Sequence, residues 1–171
     1  MTQRGQAMYA FYHLYFDDVE VGQEWESPGR TVTEADLVHF AGLSGDFNPI
    51  HMDHEYARTT PFRRPIAHGL LTLALTSGLS VNCPPMRTLA LVAIRDWQFR
   101  EPVFIGDTLR VRSKVLAKEP RGRGRRGLIT WQRQVINQHG KAVQEGITVT
   151  LVEARPPAQS TEPPPSATDS G

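Results

Sequence analysis

His68-Gly69-Leu70-Leu71-Thr72-Leu73-Ala74-Leu75-Thr76-Ser77-Gly78-Leu79-Ser80-Val81 is the stretch on which the fold turns. His68-Gly69 opens a helix that runs from Leu70 to about Val81, and Asn82-Cys83-Pro84-Pro85 ends it. Its apolar residues Leu70, Leu71, Leu73, Ala74, Leu75 and Leu79 go nearly all the way round. A helix with that pattern is enclosed by other structure rather than laid on a surface. It is too short, and too rich in hydroxyls at Thr72, Thr76, Ser77 and Ser80, to span a bilayer.

The chain downstream supplies the enclosure. Leu89 to Phe104 reads as one long extended run, with Trp97 and Phe99 alternating against Asp96, Gln98 and Arg100. Gly106-Asp107 is a turn. Leu109, Val111, Ser113 and Val115 then alternate with Arg110, Arg112 and Lys114. Leu128 to Asn137 alternates Ile129, Trp131 and Val135 with polar residues, His139-Gly140 turns the chain, and Ala142 to Val152 puts Val143, Ile147, Val149 and Leu151 on one face. A period of two over successive runs is an antiparallel meander. The fold class is therefore α+β: a curled antiparallel sheet wrapped around a long central helix.

Upstream, Phe11 to Phe16 is aromatic-rich and can be a strand, and Gln23 to Val32 is extended but broken at Ser27-Pro28-Gly29. Thr33 is a candidate N-cap, with Asp36 three residues on in a capping-box pattern. Leu37, Phe40, Ala41 and Ser44 share one face of the helix that follows, and Gly45 is a natural end for it. After Asp46-Phe47-Asn48-Pro49-Ile50-His51 comes a short helical turn around Asp53 to Arg58, then a loop holding Pro61 and Pro65.

At 171 residues the chain has room for one compact domain. Residues 1–10 read as a flexible arm and 11–154 as the domain. Residues 155–171, with five prolines among Ser, Thr and Ala, have almost nothing to bury and read as a disordered tail. The net charge of +1 gives no global field to attract nucleic acid or an anionic membrane. Cys83, the single cysteine, cannot form an internal disulfide, and residues 1–15 carry no signal-peptide pattern. The expected location is cytoplasmic.

The chemistry concentrates in one segment. Asp46 and His51 are five residues apart, which on a continuous helix would turn them about 140° away from each other. Pro49 biases Asn48 out of the helical region, and that bend can bring both side chains into one pocket. His68-Gly69 starts the buried helix, whose N-terminus offers free N–H groups and the positive end of a dipole. Glycine there lets a substrate oxygen come close. An acid/base pair beside such a site suits addition of water to a conjugated carbonyl. The pair deprotonates the water and the N–H groups hold the enolate oxygen. Asp-Phe-Asn-Pro is equally an ordinary turn in which Asp46 caps the next segment, and a His before a helix-opening Gly can be purely structural. Spacing leaves both readings open.

Longer patterns narrow them. Thr33-x-x-Asp36-x-x-x-Phe40-Ala41, Ser44-Gly45-Asp46-x-Asn48-Pro49-Ile50-His51-x-Asp53, Tyr56-Ala57 and Ile66-Ala67-His68-Gly69-Leu70 together resemble the MaoC-like dehydratase family, which includes the R-specific enoyl-CoA hydratases. The resemblance covers roughly residues 15 to 152. It implies the hot-dog fold, with Asp46 and His51 as the catalytic dyad and Asn48 and Ser44 in support. It also implies an Ala67-His68-Gly69 segment that approaches the thioester carbonyl, His68 and Gly69 forming the oxyanion and thioester contacts. The expected reaction is that of a carbon–oxygen lyase, reversible hydration of a trans-2-enoyl-CoA to a 3-hydroxyacyl-CoA. No metal or redox cofactor is implied. The expected assembly is a homodimer, or a dimer of dimers, whose sheets join, with the thioester bound near the interface and its acyl group beside the central helix. Tyr15 to Trp25 looks like members that act on small or branched acyl groups. The rival readings are a hot-dog acyl-CoA thioesterase and a non-catalytic acyl-binding subunit of a dehydratase complex.

The remaining signals are plain. Gly122-Arg123-Gly124-Arg125-Arg126-Gly127 has the spacing of a dinucleotide fingerprint but precedes a strand instead of opening a helix, so it reads as a hairpin loop. Its arginines, with Arg121, are either solvated or in contact with CoA phosphates, and Arg63 and Arg64 are the other phosphate candidates. His51, Asp53, His54 and His68 match no strong metal-ligand spacing. Cys83 reads as a small buried residue, and Trp97, Phe99 and Trp131 as builders of the core or a dimer contact.

Overall fold

The computed structural model describes residues 13–156. The arm read at 1–10, the first residues of the 11–16 strand and nearly all of the 155–171 tail lie outside that range.

The meander forms as the alternation dictates. Strands β1 (Glu24–Glu26), β2 (Arg30–Thr31), β3 (Thr88–Phe99), β4 (Thr108–Arg121), β5 (Arg126–Ile136) and β6 (Ala142–Glu153) make one antiparallel sheet. The order is β1-β4-β5-β6-β3, and β2 also pairs with β4. In β4 and β5 the apolar set predicted from period two is the buried set: Leu109, Val111, Val115, Ile129, Trp131 and Val135 are all 1% exposed or less. The helices are α1 (Glu34–Ser44), α2 (Pro49–Met52), α3 (His54–Thr59) and α4 (Gly69–Ser80).

Helix α4 is the predicted central helix and packs on the inner face of the sheet, where Leu71, with Leu75 and Leu79 beside it, joins Val32, Leu37, Val103, Leu109, Val135 and Val143. Its most buried side chains include two threonines, Thr72 and Thr76. The Thr76 and Ser80 hydroxyls donate to the carbonyls of Thr72 and Thr76, at 2.8 and 2.7 Å, so this row needs no partner across the sheet. Full enclosure, read from leucines on all sides, is not met within one chain. Leu70 is 62% exposed and Val81 60%. The sheet covers one face of the rod, and among the described residues nothing covers Leu70 on the opposite face.

Two readings change at the edges. The extended run from Leu89 ends at Phe99, not Phe104, because Arg100 and Glu101 both donate to the Val143 carbonyl and Pro102 has no N–H with which to continue the ladder. Within β3 the register slips between Arg95 and Gln98, and Asp96 takes a positive φ of 50°. This bulge breaks the predicted Trp97/Phe99 alternation. At the N-terminus, Leu14 makes only an isolated bridge to Met86, and Phe16–Asp18 is a 3-10 turn rather than strand. Arg155, read as the first tail residue, is tied to the fold by an ion pair with Asp18 at 2.6 Å.

The predicted capping box is present: Thr33 N–H donates to the Asp36 carboxylate at 2.8 Å, and Asp36 N–H to the Thr33 hydroxyl at 3.3 Å. Gly45 ends α1 in the left-handed region, φ 78°, which turns the chain towards the next segment.

Candidate active site

Each residue after Gly45 is held by a short-range hydrogen bond. The Ser44 hydroxyl donates to the Phe40 carbonyl (2.7 Å) and accepts from Asp46 N–H (3.2 Å). The Asp46 carboxylate accepts from Asn48 N–H at 3.2 Å. The Asn48 side chain accepts from Ile50 N–H at 3.1 Å and caps α2, with Pro49 as its first residue. Asn48 sits at φ −54° and ψ 131°, the non-helical conformation that the following proline favours. Ser44 and Asn48 therefore shape the turn that carries Asp46 and His51.

The bend brings the predicted pair together. Asp46, His51 and His68 each offer a side-chain donor atom within 4.8 Å of the other two. His51 Nδ1 lies 2.8 Å from the Ile66 carbonyl oxygen. A carbonyl only accepts, so Nδ1 carries the hydrogen and Nε2 keeps its lone pair. Burial lowers the His51 pKa against the opposing effects of the Ile66 hydrogen bond and the Asp46 carboxylate, and the neighbouring His68 adds to the lowering. His51 is thus held as a neutral imidazole with a free basic nitrogen.

His68 stands differently from the sequence expectation of a substrate contact. It is 2% exposed, stacked on His51 at 3.9 Å between ring centroids and set against Phe40 at 5.1 Å. Its Nε2–H donates to the Asp46 backbone carbonyl at 2.9 Å. Its Nδ1 is buried with no hydrogen-bond partner among the described residues. The ring braces the Asp46 turn from beneath and lines a cavity beside the open first turn of α4.

A cavity of about 460 Å³ is lined by Asp46, His51, His68, Gly69, Leu70 and Phe99 among others. A second, of about 400 Å³, shares His51, Gly69 and Phe99 and adds Phe62, Ile66, Thr72, Arg100 and Gln144. Gly69 and His51 thus face both chambers. A Cβ on Gly69 would come within 2.8 Å of the Phe99 ring, so glycine here also admits that aromatic wall.

Arg63 and Arg64 line neither cavity. Arg63 donates to the Arg58 carbonyl at 3.2 Å, and the Arg64 guanidinium lies over the Phe104 ring at 4.0 Å. Of the other residues weighed for a metal, Asp53 caps α3 and His54 pairs with Glu34. Asp46, His51 and His68 could offer three ligands, but one ring nitrogen of each histidine is spent on a backbone carbonyl. Gln144 and Arg100 were not singled out from the sequence. They stand among other polar residues where β6 begins and β3 ends, and no spacing marks them.

An α+β sheet packed on one helix, with an imidazole and a carboxylate gathered at that helix's N-terminus, defines a hot-dog protein with a candidate site at the start of its central helix. The MaoC like domain family matches residues 18–135, and the chain belongs to it. Over 142 residues it is 36% identical to the (R)-specific enoyl-CoA hydratase of Rhodospirillum rubrum, covering 82% of this chain and 93% of that protein. The structure of a MaoC-like dehydratase from the same organism superposes with a TM-score of 0.73 at 31% identity, over 84% of this chain and 99% of that one. A Mycobacterium tuberculosis protein with a double hot-dog fold superposes with a TM-score of 0.75 at 24% identity, over 84% of this chain and 45% of that one, and shares the fold. Among the described residues no helix is long and apolar enough to cross a membrane.

Proposed function

We propose that this chain, an enzyme of the hydratase/dehydratase class, adds water reversibly to a trans-2-enoyl-CoA to give the 3-hydroxyacyl-CoA. The observation that carries the reading is the convergence of Asp46, the free Nε2 of His51 and the open first turn of α4 on one cavity. A water held between the Asp46 carboxylate and His51 Nε2 gives up a proton as its oxygen bonds to the β-carbon of the enoyl thioester. The displaced π electrons move onto the thioester oxygen. The N–H groups that begin α4 have no partner within the helix and accept that charge, one such donor being worth ~3 kcal/mol. The enolate then collapses and takes a proton at the α-carbon from the dyad. Dehydration is the same path reversed.

The relative named as an (R)-specific enoyl-CoA hydratase supports this substrate class. We read the working unit as a homodimer of the 11–154 domain in the cytoplasm, and the open faces of α4 and β3 support the dimer. The test follows loss of the conjugated enoyl absorbance with crotonyl-CoA and branched enoyl-CoAs. Asp46→Asn and His51→Ala are each expected to lower kcat at least about 100-fold, with the far-ultraviolet spectrum unchanged. Full activity in either variant overturns the dyad. Release of free thiol, followed with a thiol-trapping dye, would instead identify a thioesterase.

A further inference from the structure

We propose that Gln144 is a positioning residue for this reaction: its side-chain amide links the Trp97 indole to the Gly69 carbonyl and holds the first turn of α4 against the thioester oxygen. This rests on the hydratase reading above. Gln144 is 2% exposed and lies on β6, opposite Phe99 of β3 and Val135 of β5. Its Nε2–H donates to the Gly69 carbonyl at 3.0 Å. Its Oε1 accepts from Trp97 Nε1–H, also at 3.0 Å. Both ends of a buried amide are therefore satisfied, and its orientation is fixed: the indole N–H can only donate and the backbone carbonyl can only accept.

The chosen carbonyl gives the link its consequence. Gly69 C=O belongs to the peptide unit whose N–H is that of Leu70, one of the first four N–H groups that a helix leaves without an internal partner. A hydrogen bond accepted at one end of a peptide unit polarises the donor at its other end. The relay from Trp97 through Gln144 to Gly69 thus aims the Leu70 N–H, and strengthens it, where enolate charge develops. Trp97 can reach Gln144 because the Asp96 bulge re-aims the strand, and its ring has room because Gly146, two residues beyond Gln144, lacks a Cβ. Gln144 also lines the chamber that holds His51, Gly69 and Thr72. Its hydrogen bonds go to Trp97 and Gly69 and not to the Asp46 turn, so its loss should leave the dyad's own protonation in place.

The experiment compares Gln144→Leu, Gln144→Glu and Trp97→Phe in the full chain with crotonyl-CoA, recording kcat, KM, the pH profile and the melting temperature. Gln144→Leu is expected to lower kcat about 10- to 100-fold, the scale on which an oxyanion donor acts, with KM and the acid limb of the profile little changed. Gln144→Glu keeps an acceptor for Trp97 but, as a carboxylate, loses the donor to Gly69, so it should fall as far as Gln144→Leu. Trp97→Phe removes only the anchor and should fall less. A folded Gln144→Leu or Gln144→Glu with kcat within about twofold of wild type overturns the positioning role. If neither Gln144 variant folds, Trp97→Phe decides on the same criterion. A wild-type protein that hydrates neither crotonyl-CoA nor the branched enoyl-CoAs overturns the hydratase reading, and the proposal with it.

Discussion

At the scale of single residues, His51 fixes the pH behaviour. Its Nδ1–H is committed to Ile66, and burial, reinforced by His68, holds its pKa below the usual imidazole value of about 6.5. On the proposed mechanism the neutral form is the base, so activity should be lost as pH falls through that lowered value. The acid limb of kcat/KM is expected to have its midpoint below about pH 6.5. A midpoint at or above it would mean that another group carries the limb. The sign for stability is the same. The unfolded chain binds the proton more readily, so the stability that His51 contributes is complete above about pH 6.5 and declines as pH falls through its folded value. Asp46 and His51 were legible in the sequence because the kink that joins them is local: Pro49, Asn48 and Gly45 each impose a backbone conformation that short-range rules describe. The strut role of His68 was not legible, since it depends on a hydrogen bond to Asp46, 22 positions away.

At the scale of elements, period two and capping chemistry recovered β4, β5, α1 and α4, and β6 as a strand although its buried residues fall on both faces. They failed on β3, whose alternation is interrupted by a bulge and whose residues stand mostly exposed. The bulge depends on what lies across from it. Gly146 of β6 packs against Trp97 so tightly that a Cβ would fall 2.5 Å from the indole and 2.8 Å from the Trp97 Cα. The second distance is to backbone, which cannot swing aside, so β3 itself would have to shift. Gly146→Ala is therefore expected to cost ~1–3 kcal/mol, the range for overpacking a filled site. Denaturant unfolding should show a lower midpoint at an unchanged slope. Because Trp97 is the anchor for Gln144, the folded variant should lose turnover as well. An alanine variant as stable and as active as wild type would mean that β3 is free to move at the bulge, and that the helix start is not fixed through it.

At the scale of the whole molecule, Leu71, Leu75 and Leu79 pack towards the sheet, while Leu70 faces away from it and is left uncovered among the described residues. Leu70 on α4, Val81 at its C-cap, and Leu89, Leu91, Val92 and Ile94 on β3 are between 43% and 62% exposed. Among the described residues β3 pairs with β6 on one side only, which leaves a long edge with apolar side chains and unpaired N–H and C=O groups. Such an edge recruits another strand, and contiguous exposed apolar surface of this kind marks an interface. In a two-fold dimer the surface must fit itself, which antiparallel pairing of β3 with its own copy achieves. Leu70 and Phe99 also line the cavity of the dyad, so the same partner would close the site against water. Light scattering is expected to give about 38 kDa, twice the chain's 19.1 kDa. Leu91→Arg combined with Ile94→Arg should yield the monomer and abolish turnover together, although neither side chain lies in the catalytic turn. A wild-type monomer with full activity would overturn the pairing, and would require the exposed face of α4 to be covered by residues outside 13–156.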